Sequence, residues 1–344
     1  MAERTSAMAS SGLTWRGRRV FVTGGSGLLG AALVEALVAR GADVTILLRD
    51  WVPGSRLFEA DPGRSTNIVG GDLTQLPLLV RAVNEYEIDT VFHLGAQTIV
   101  GTAARSPIST FESNVQGTWN MLEACRQNAR LVKRVVVASS DKAYGAHAQL
   151  PYTEATPLVG RFPYDVSKSC ADLIALSYFH TYGTPVVVTR CGNLWGPGDL
   201  NFSRLIPGTI QSALLDEAPV IRSDGTFKRD YFYVRDAVGA YLSVAEQTEQ
   251  AQLGGHAFNF GNEHPFTVLE VVRRILDFMG RSDLQPVVLD EASHEIPNQF
   301  LDCTKARTML GWSPQFSFEA GLNETVPWYA RRLSGAIDSG RTPR

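Results

Sequence analysis

A tyrosine and a lysine four positions apart, in Pro163-Tyr164-Asp165-Val166-Ser167-Lys168, open a stretch that reads as a helix. Residues at i and i+4 share a helix face, so the Lys168 ammonium is expected beside the Tyr164 phenol. A neighbouring positive charge favours phenolate and lowers a pKa that is otherwise about 10. Tyr164 is then a candidate base near neutral pH, and Lys168 its partner. Earlier, Ser139-Ser140-Asp141-Lys142-Ala143-Tyr144-Gly145 ends a β-branched run. Ser140 is placed there to hydrogen-bond the hydroxyl that Tyr164 would deprotonate.

Chemistry of this kind needs a hydride acceptor, and the N-terminal part offers a seat for one. Arg19-Val20-Phe21-Val22-Thr23 runs straight into Gly24-Gly25-Ser26-Gly27-Leu28-Leu29-Gly30, with an apolar helical pattern after it. One glycine permits the tight bend, one lets the backbone approach a pyrophosphate, and one lets helix and strand pack closely. Free N–H groups at the helix start then face the negative charge. Gly24, Ser26, Gly27, Leu28, Leu29 and Gly30 are the expected cofactor turn. The second strand should end near an acid if NAD is preferred, because a carboxylate holds the ribose 2′-OH. Leu48 falls at that position, followed by Arg49 and Asp50. Arg49 suits a 2′-phosphate and hence NADP. Asp50 suits the ribose and hence NAD, and a solvated Arg-Asp turn is the third possibility. Asp72, before Leu73, is a candidate acceptor for the adenine amino group. Leu94, Ala96 and Gln97 end the fourth strand beside Gly95, leaving room for a cofactor, and Asn114 sits in the following helix.

These residues require a scaffold, and the hydrophobic rhythm supplies one. Strands are expected at 19–23, 43–48, 67–69, 90–94, 134–139 and 185–190, with helices at 28–40 and 113–128 between them. Apolar strands alternating with helices indicate a parallel sheet covered on both faces, the doubly wound Rossmann-type α/β architecture. After Asn193 the rhythm breaks into Gly- and Pro-rich sequence. A strand at 257–260 and helices at 267–279 and 318–333 follow. The expected organisation is a flexible tail over 1–16 and a dinucleotide-binding domain over 17–192. Residues 228–262 partly return to it, and a smaller C-terminal lobe spans 193–227 and 263–340.

Composition narrows the field. Hydrophobic residues are 44% and charged residues 19%, with a net charge of -3. That charge is too weak and of the wrong sign for a general nucleic-acid binder. No apolar run approaches the roughly 20 residues of a membrane span, and the Ala- and Ser-rich start lacks a signal-peptide core. Cys125, Cys170, Cys191 and Cys303 form no C-x-x-C pair. Their spacing suggests reduced, mostly buried thiols in a cytoplasmic protein rather than a zinc site, so no metal is expected.

The glycine turn, Ser140, Tyr164 and Lys168 together resemble the extended short-chain dehydrogenase/reductase family of NAD-dependent epimerases and dehydratases, from about Arg18 to Leu333. Within it the chain is most similar to nucleotide-sugar 4,6-dehydratases, those acting on CDP-glucose in particular. Ser140 to Tyr144, Tyr164 to Asp172, Gly192 to Pro207 and Leu301 to Pro314 carry that likeness. In CDP-glucose dehydratases an Asp-Lys pair follows the serine, as Asp141-Lys142 does here. The stretch Lys228 to Asp236 follows the general epimerase/dehydratase pattern instead.

The resemblance implies an order of events that the residues can carry. Oxidation at C4 by an NAD(P) cofactor acidifies the C5 proton. A neutral Lys142 removes that proton while a protonated Asp141 gives one to the departing 6-OH. Hydride then returns to C6, giving a 4-keto-6-deoxy sugar. Both pKa values must move far through desolvation. The alternatives are a 4-epimerase, which returns hydride to C4, and a non-catalytic dinucleotide sensor. For a nucleotide-sugar substrate, Asn193 has an amide for a phosphate oxygen, and a guanidinium matches phosphate bidentately. Arg229 resembles the family's diphosphate-binding arginine, Arg222 is a weaker candidate, and Arg204-Leu205-Ile206 resembles a segment against the base. Helices over 106–128 and 164–182 correspond to the family's dimer interface, implying a homodimer or higher even oligomer. Trp312 and Trp328 read as packing residues.

Overall fold

The computed structural model describes residues 14–59, 66–291 and 295–337. Most of the expected tail lies outside them. Trp15 does not behave as tail: it is buried, its ring centroid is 6.1 Å from that of Phe92, and its indole donates to Glu246 over 2.6 Å. A large aromatic surface beside an apolar core is too favourable to leave in water.

A seven-stranded sheet forms the body, in the order Ala257–Phe260, β6, β5, β4, β1, β2, β3. Here β1 is Arg19–Thr23, β2 Asp43–Leu48, β3 Thr66–Gly70, β4 Thr90–His93, β5 Arg134–Ala138 and β6 Val186–Cys191. All pairings are parallel. Val20, Phe21 and Val22 have no exposed surface, as expected of a central strand covered on both faces. The chain order reverses between β1 and β4, which opens a crevice at the carboxyl ends of these strands.

Most expected elements appear within a residue or two. β4 stops at His93, beyond which the Leu94 and Gly95 N–H groups donate to the Thr23 hydroxyl at 3.1 and 3.0 Å. The expected helix at 113–128 is in fact compound. Glu112–Gln116 form a π-helical turn, and the α-helix proper is Gly117–Gln127. Such turns commonly mark functional sites.

The later part of the chain makes short ribbons beside the crevice. Lys228–Arg229 pairs with both Phe266–Thr267 and Asn298–Gln299. Asn193–Trp195 pairs with Tyr231–Tyr233, and Val220–Ile221 with Val287–Val288. Between these pieces the helix Val234–Gln247 packs on the helix Leu28–Ala39, and the strand Ala257–Phe260 joins β6. No described helix is long and apolar enough to cross a membrane.

Candidate active site

The glycine turn at the end of β1 has three distinct spatial demands. Gly24 has φ +72°, and a Cβ there would lie 2.8 Å from the Gly95 nitrogen. A Cβ on Gly30 would meet the Gly24 carbonyl oxygen at 2.0 Å, so helix and turn touch only because residue 30 is glycine. Gly27 differs: a Cβ would approach nothing closer than 3.4 Å, leaving its backbone open to a ligand. Gly27 caps the helix Leu28–Ala39 with no side-chain hydrogen bond, so its first-turn N–H groups point at that opening. This turn fits a dinucleotide pyrophosphate. Ser26 turns its carbonyl to the Ser55 hydroxyl over 2.7 Å, Leu28 is half-buried and Leu29 buried.

At the end of β2, Arg49 and Asp50 are exposed and paired with each other over 2.6 Å. Asp72 accepts from the Thr74 N–H and hydroxyl at 2.8 and 2.7 Å, which shapes the loop after β3. Leu73 is buried against Gly117, while Leu94, Ala96 and Gln97 are half-buried along the crevice. Asn114, on the π-helical turn, is buried and clamps Gln97. Its Oδ1 accepts from the Gln97 N–H at 2.7 Å, and its Nδ2 donates to the Gln97 carbonyl at 3.0 Å and to Ser167 at 2.9 Å.

The chemical residues converge at the end of β5. Ser140 caps the 3₁₀ turn Asp141–Tyr144, accepting from the Lys142 N–H over 3.2 Å and donating to Asp141 Oδ1 over 2.9 Å. Burial raises the Asp141 pKa, against the pull of Lys142. Burial also lowers the Lys142 pKa, against the pull of Asp141. Desolvation therefore pulls both members of the pair toward their neutral forms.

From the helix Pro163–Tyr182 come Tyr164 and Lys168, both almost wholly buried. The expected depression of the Tyr164 pKa is corrected by the structure. Burial pushes the phenol up to about 12, and a hydrogen bond with Ser140 only partly offsets it. Lys168 is itself lowered to about 8 by burial, and its Nζ donates to the Ala138 carbonyl over 2.9 Å. Four residues along a helix placed the two groups on one face but could not say where the ammonium points.

The lobe residues divide. Arg229 is buried, donates to the Pro297 carbonyl at 2.8 Å, pairs with Glu295 at 3.3 Å, and acts on both Asp141 and Lys142. Arg204 bonds Asp199 at 2.9 Å and Thr98 at 3.2 Å, and its charge reaches Tyr164. Asn193 pairs through its backbone with the Asp230 carbonyl over 2.8 Å, which leaves its amide side chain unengaged by that bond. Leu205 is half-buried and Ile206 packs in the main core. Arg222 is exposed beside the outer ribbon. Trp312 and Trp328 are both packed within the core.

Two participants, His93 and Gln299, escape a motif reading. His93 is buried between Thr23, at 2.9 Å from Nδ1, and Thr118, at 3.1 Å from Nε2. Burial and the Lys168 charge lower its pKa to about 3, so it stays neutral and ties the floor of the crevice together. Thr23 and His93 are register partners on neighbouring strands, and polar residues at adjacent strand ends were the available signal. Gln299 accepts from Lys142 Nζ over 2.9 Å, and nothing in its own sequence neighbourhood announces that.

The sequence pattern of the family described as GDP-mannose 4,6 dehydratase matches residues 21–325. A CDP-glucose 4,6-dehydratase of Salmonella typhimurium is 31% identical over 338 residues, covering 93% of each chain. The dTDP-glucose 4,6-dehydratase DesIV of Streptomyces venezuelae, solved with NAD bound, superposes with a TM-score of 0.82 at 29% identity, covering 92% of this chain and 98% of that one. A UDP-glucose 4-epimerase of Thermotoga maritima, solved with UDP-glucose, gives 0.81 at 26% identity, covering 91% and 99%.

Proposed function

The chain belongs to the GDP-mannose 4,6 dehydratase family of NAD(P)-dependent nucleotide-sugar enzymes, and from that premise we propose that it converts CDP-glucose to CDP-4-keto-6-deoxyglucose. The observation that carries this reading is the buried Asp141–Lys142 pair, whose pKa values move in opposite directions by desolvation.

NAD held at the glycine turn of residues 24–30 would supply the hydride acceptor and donor for C4 oxidation and C6 reduction. The chain's residues supply everything else. Ser140 orients the sugar 4-OH, and Tyr164 accepts its proton as the ketone forms. Tyr164 is held near 12 without ligands, and the positive ring of an oxidised nicotinamide would favour its phenolate form. Lys142 takes the C5 proton while Asp141 protonates the departing 6-oxygen as water. Lys142 gives its proton back to C5 when hydride reaches C6. The proton gained at Tyr164 balances the one lost from Asp141.

The preferred cofactor in this reading is NAD, because Arg49 is already paired with Asp50. Gly24, Ser26, Gly27, Leu28, Leu29, Gly30, Asp72, Leu73, Leu94, Ala96, Gln97 and Asn114 line its seat. Asn193, Arg204, Leu205, Ile206, Arg222 and Arg229 are assigned to the nucleotide sugar. We assign a cytoplasmic homodimer built on the helices that expose Ile108, Trp119 and Leu173. Light scattering that finds only a monomer removes the dimer.

Incubation with CDP-, dTDP-, GDP- and UDP-hexoses, followed by mass spectrometry, tests the activity. Loss of one water from CDP-glucose, with solvent hydrogen entering at C5, is the expected result. An isomer of unchanged mass would make the protein a 4-epimerase.

A further inference from the structure

The ribbon strand Asn298–Gln299 lies in register with Lys228–Arg229, so Gln299 stands opposite Arg229. Its side chain has no exposed surface, and its Oε1 accepts from Lys142 Nζ over 2.9 Å. Gln299 Nε2 is buried without a partner among the described residues, and so is Asp141 Oδ2. Buried polar atoms left open are costly unless a ligand meets them. Here two of them belong to the immediate neighbours of one lysine amine. We propose that Gln299 is the positioning residue of the elimination step: its amide oxygen aims the Lys142 amine at the sugar C5–H without adding a charge that would keep it protonated. This inference rests on the dehydratase reading.

An amine has a single lone pair. To take a proton from carbon, that pair must face the carbon while the N–H groups are held elsewhere. An amide oxygen holds them and carries no net charge. A carboxylate in its place would pull a proton onto Lys142 and keep it there. The charged groups facing Lys142 come from three elements. Asp141 is on its own turn, Asp165 is on the helix Pro163–Tyr182, and Arg229 and Glu295 come from the lobe. The carboxylates favour the ammonium; burial, the largest influence, and Arg229 favour the amine. Gln299 leaves that balance undisturbed. In the step itself the C5–H electron pair becomes the C5–C6 double bond. The C6–O bond breaks, the C5 proton goes to Lys142 Nζ, and the Asp141 proton completes the water.

The test compares the NAD-loaded wild-type enzyme with Gln299→Glu and Gln299→Met. Carbon-13 NMR of labelled lysine follows the titration of Lys142, assigned as the resonance missing from Lys142→Arg. Water loss is followed on whichever of CDP-glucose, dTDP-glucose, GDP-mannose and UDP-glucose the wild type dehydrates. Gln299→Glu should raise the Lys142 midpoint by about one pH unit or more and move the acidic limb of kcat with it. Gln299→Met should keep the midpoint low but reduce kcat about tenfold or more, with reduced nicotinamide accumulating on the enzyme. Wild-type kcat in Gln299→Met overturns the proposal, whether or not the glutamate variant folds. An unmoved Lys142 midpoint in a folded Gln299→Glu overturns it as well. If the midpoint moves while the wild type releases water from none of the four substrates, the dehydratase reading fails and the Lys142–Gln299 contact stands.

Discussion

In the proposed reaction, the residues assigned to hydride transfer and those assigned to elimination differ in where their support comes from. Ser140, Tyr164 and Lys168 are held by the parallel sheet and the helix packed on it, with Lys168 fixed to the Ala138 carbonyl at the end of β5. Asp141 and Lys142 leave the same strand, yet their surroundings come largely from the lobe, through Gln299, Arg229 and Glu295. One half is built on rigid neighbouring elements. The other is completed only when chain more than 80 residues later in sequence folds back over it.

Substitutions that separate the halves test this division most sharply. Tyr164→Phe should abolish the first step, lowering turnover by about 10³-fold or more while NAD still binds, with no reduced cofactor formed. Lys142→Ala should cost a comparable factor in water release but leave C4 oxidation intact, so reduced nicotinamide builds up under stopped-flow absorbance. Wild-type turnover in Lys142→Ala would erase the distinction. Behind the hydride half, Arg190 grips Asp172 with two hydrogen bonds of 2.8 and 2.9 Å, both side chains being buried. Asp172→Asn removes the charge partner and should cost about 3–5 kcal/mol in denaturant unfolding. A loss of only a few tenths would mean that this pair does not brace the helix.

A pH effect, smaller over any single pH unit, should arise on the sheet side. His93 is lowered to about 3 from an ordinary 6.5, so below 6.5 the unfolded chain takes up a proton that the folded chain refuses. Stability therefore falls as pH drops from 6.5 toward 3, by about 1.4 kcal/mol per unit at most from this group. His93→Gln should flatten that part of the profile, and an unchanged slope would assign the acid sensitivity elsewhere. The smallest effect belongs to Arg49, exposed and already paired with Asp50. Arg49→Ala should change the KM for NAD by less than about threefold.

The expected elements and the structure agree best where the physics is local. Strands 19–23, 43–48 and 257–260 have the expected bounds because buried parallel strands require continuous apolar runs. The glycine turn was legible because steric demands at Gly24 and Gly30 allow few other residues. The compound helix at 112–127 was not, since a π-helical turn leaves the apolar pattern nearly unchanged. Trp15 falls within the expected flexible tail because composition is averaged over neighbours, whereas burial is decided by what lies opposite.

By itself the sequence determined the sheet and the glycine turn, because continuous apolar runs and close backbone packing are local demands, and helical spacing put Tyr164 and Lys168 on one helix. Tertiary structure alone decided that Lys168 turns to the Ala138 carbonyl, that Tyr164 is raised rather than lowered, and that Gln299 meets Lys142. Each of these depends on desolvation or on contacts between segments remote in sequence. Neither quantity is written in the order of residues.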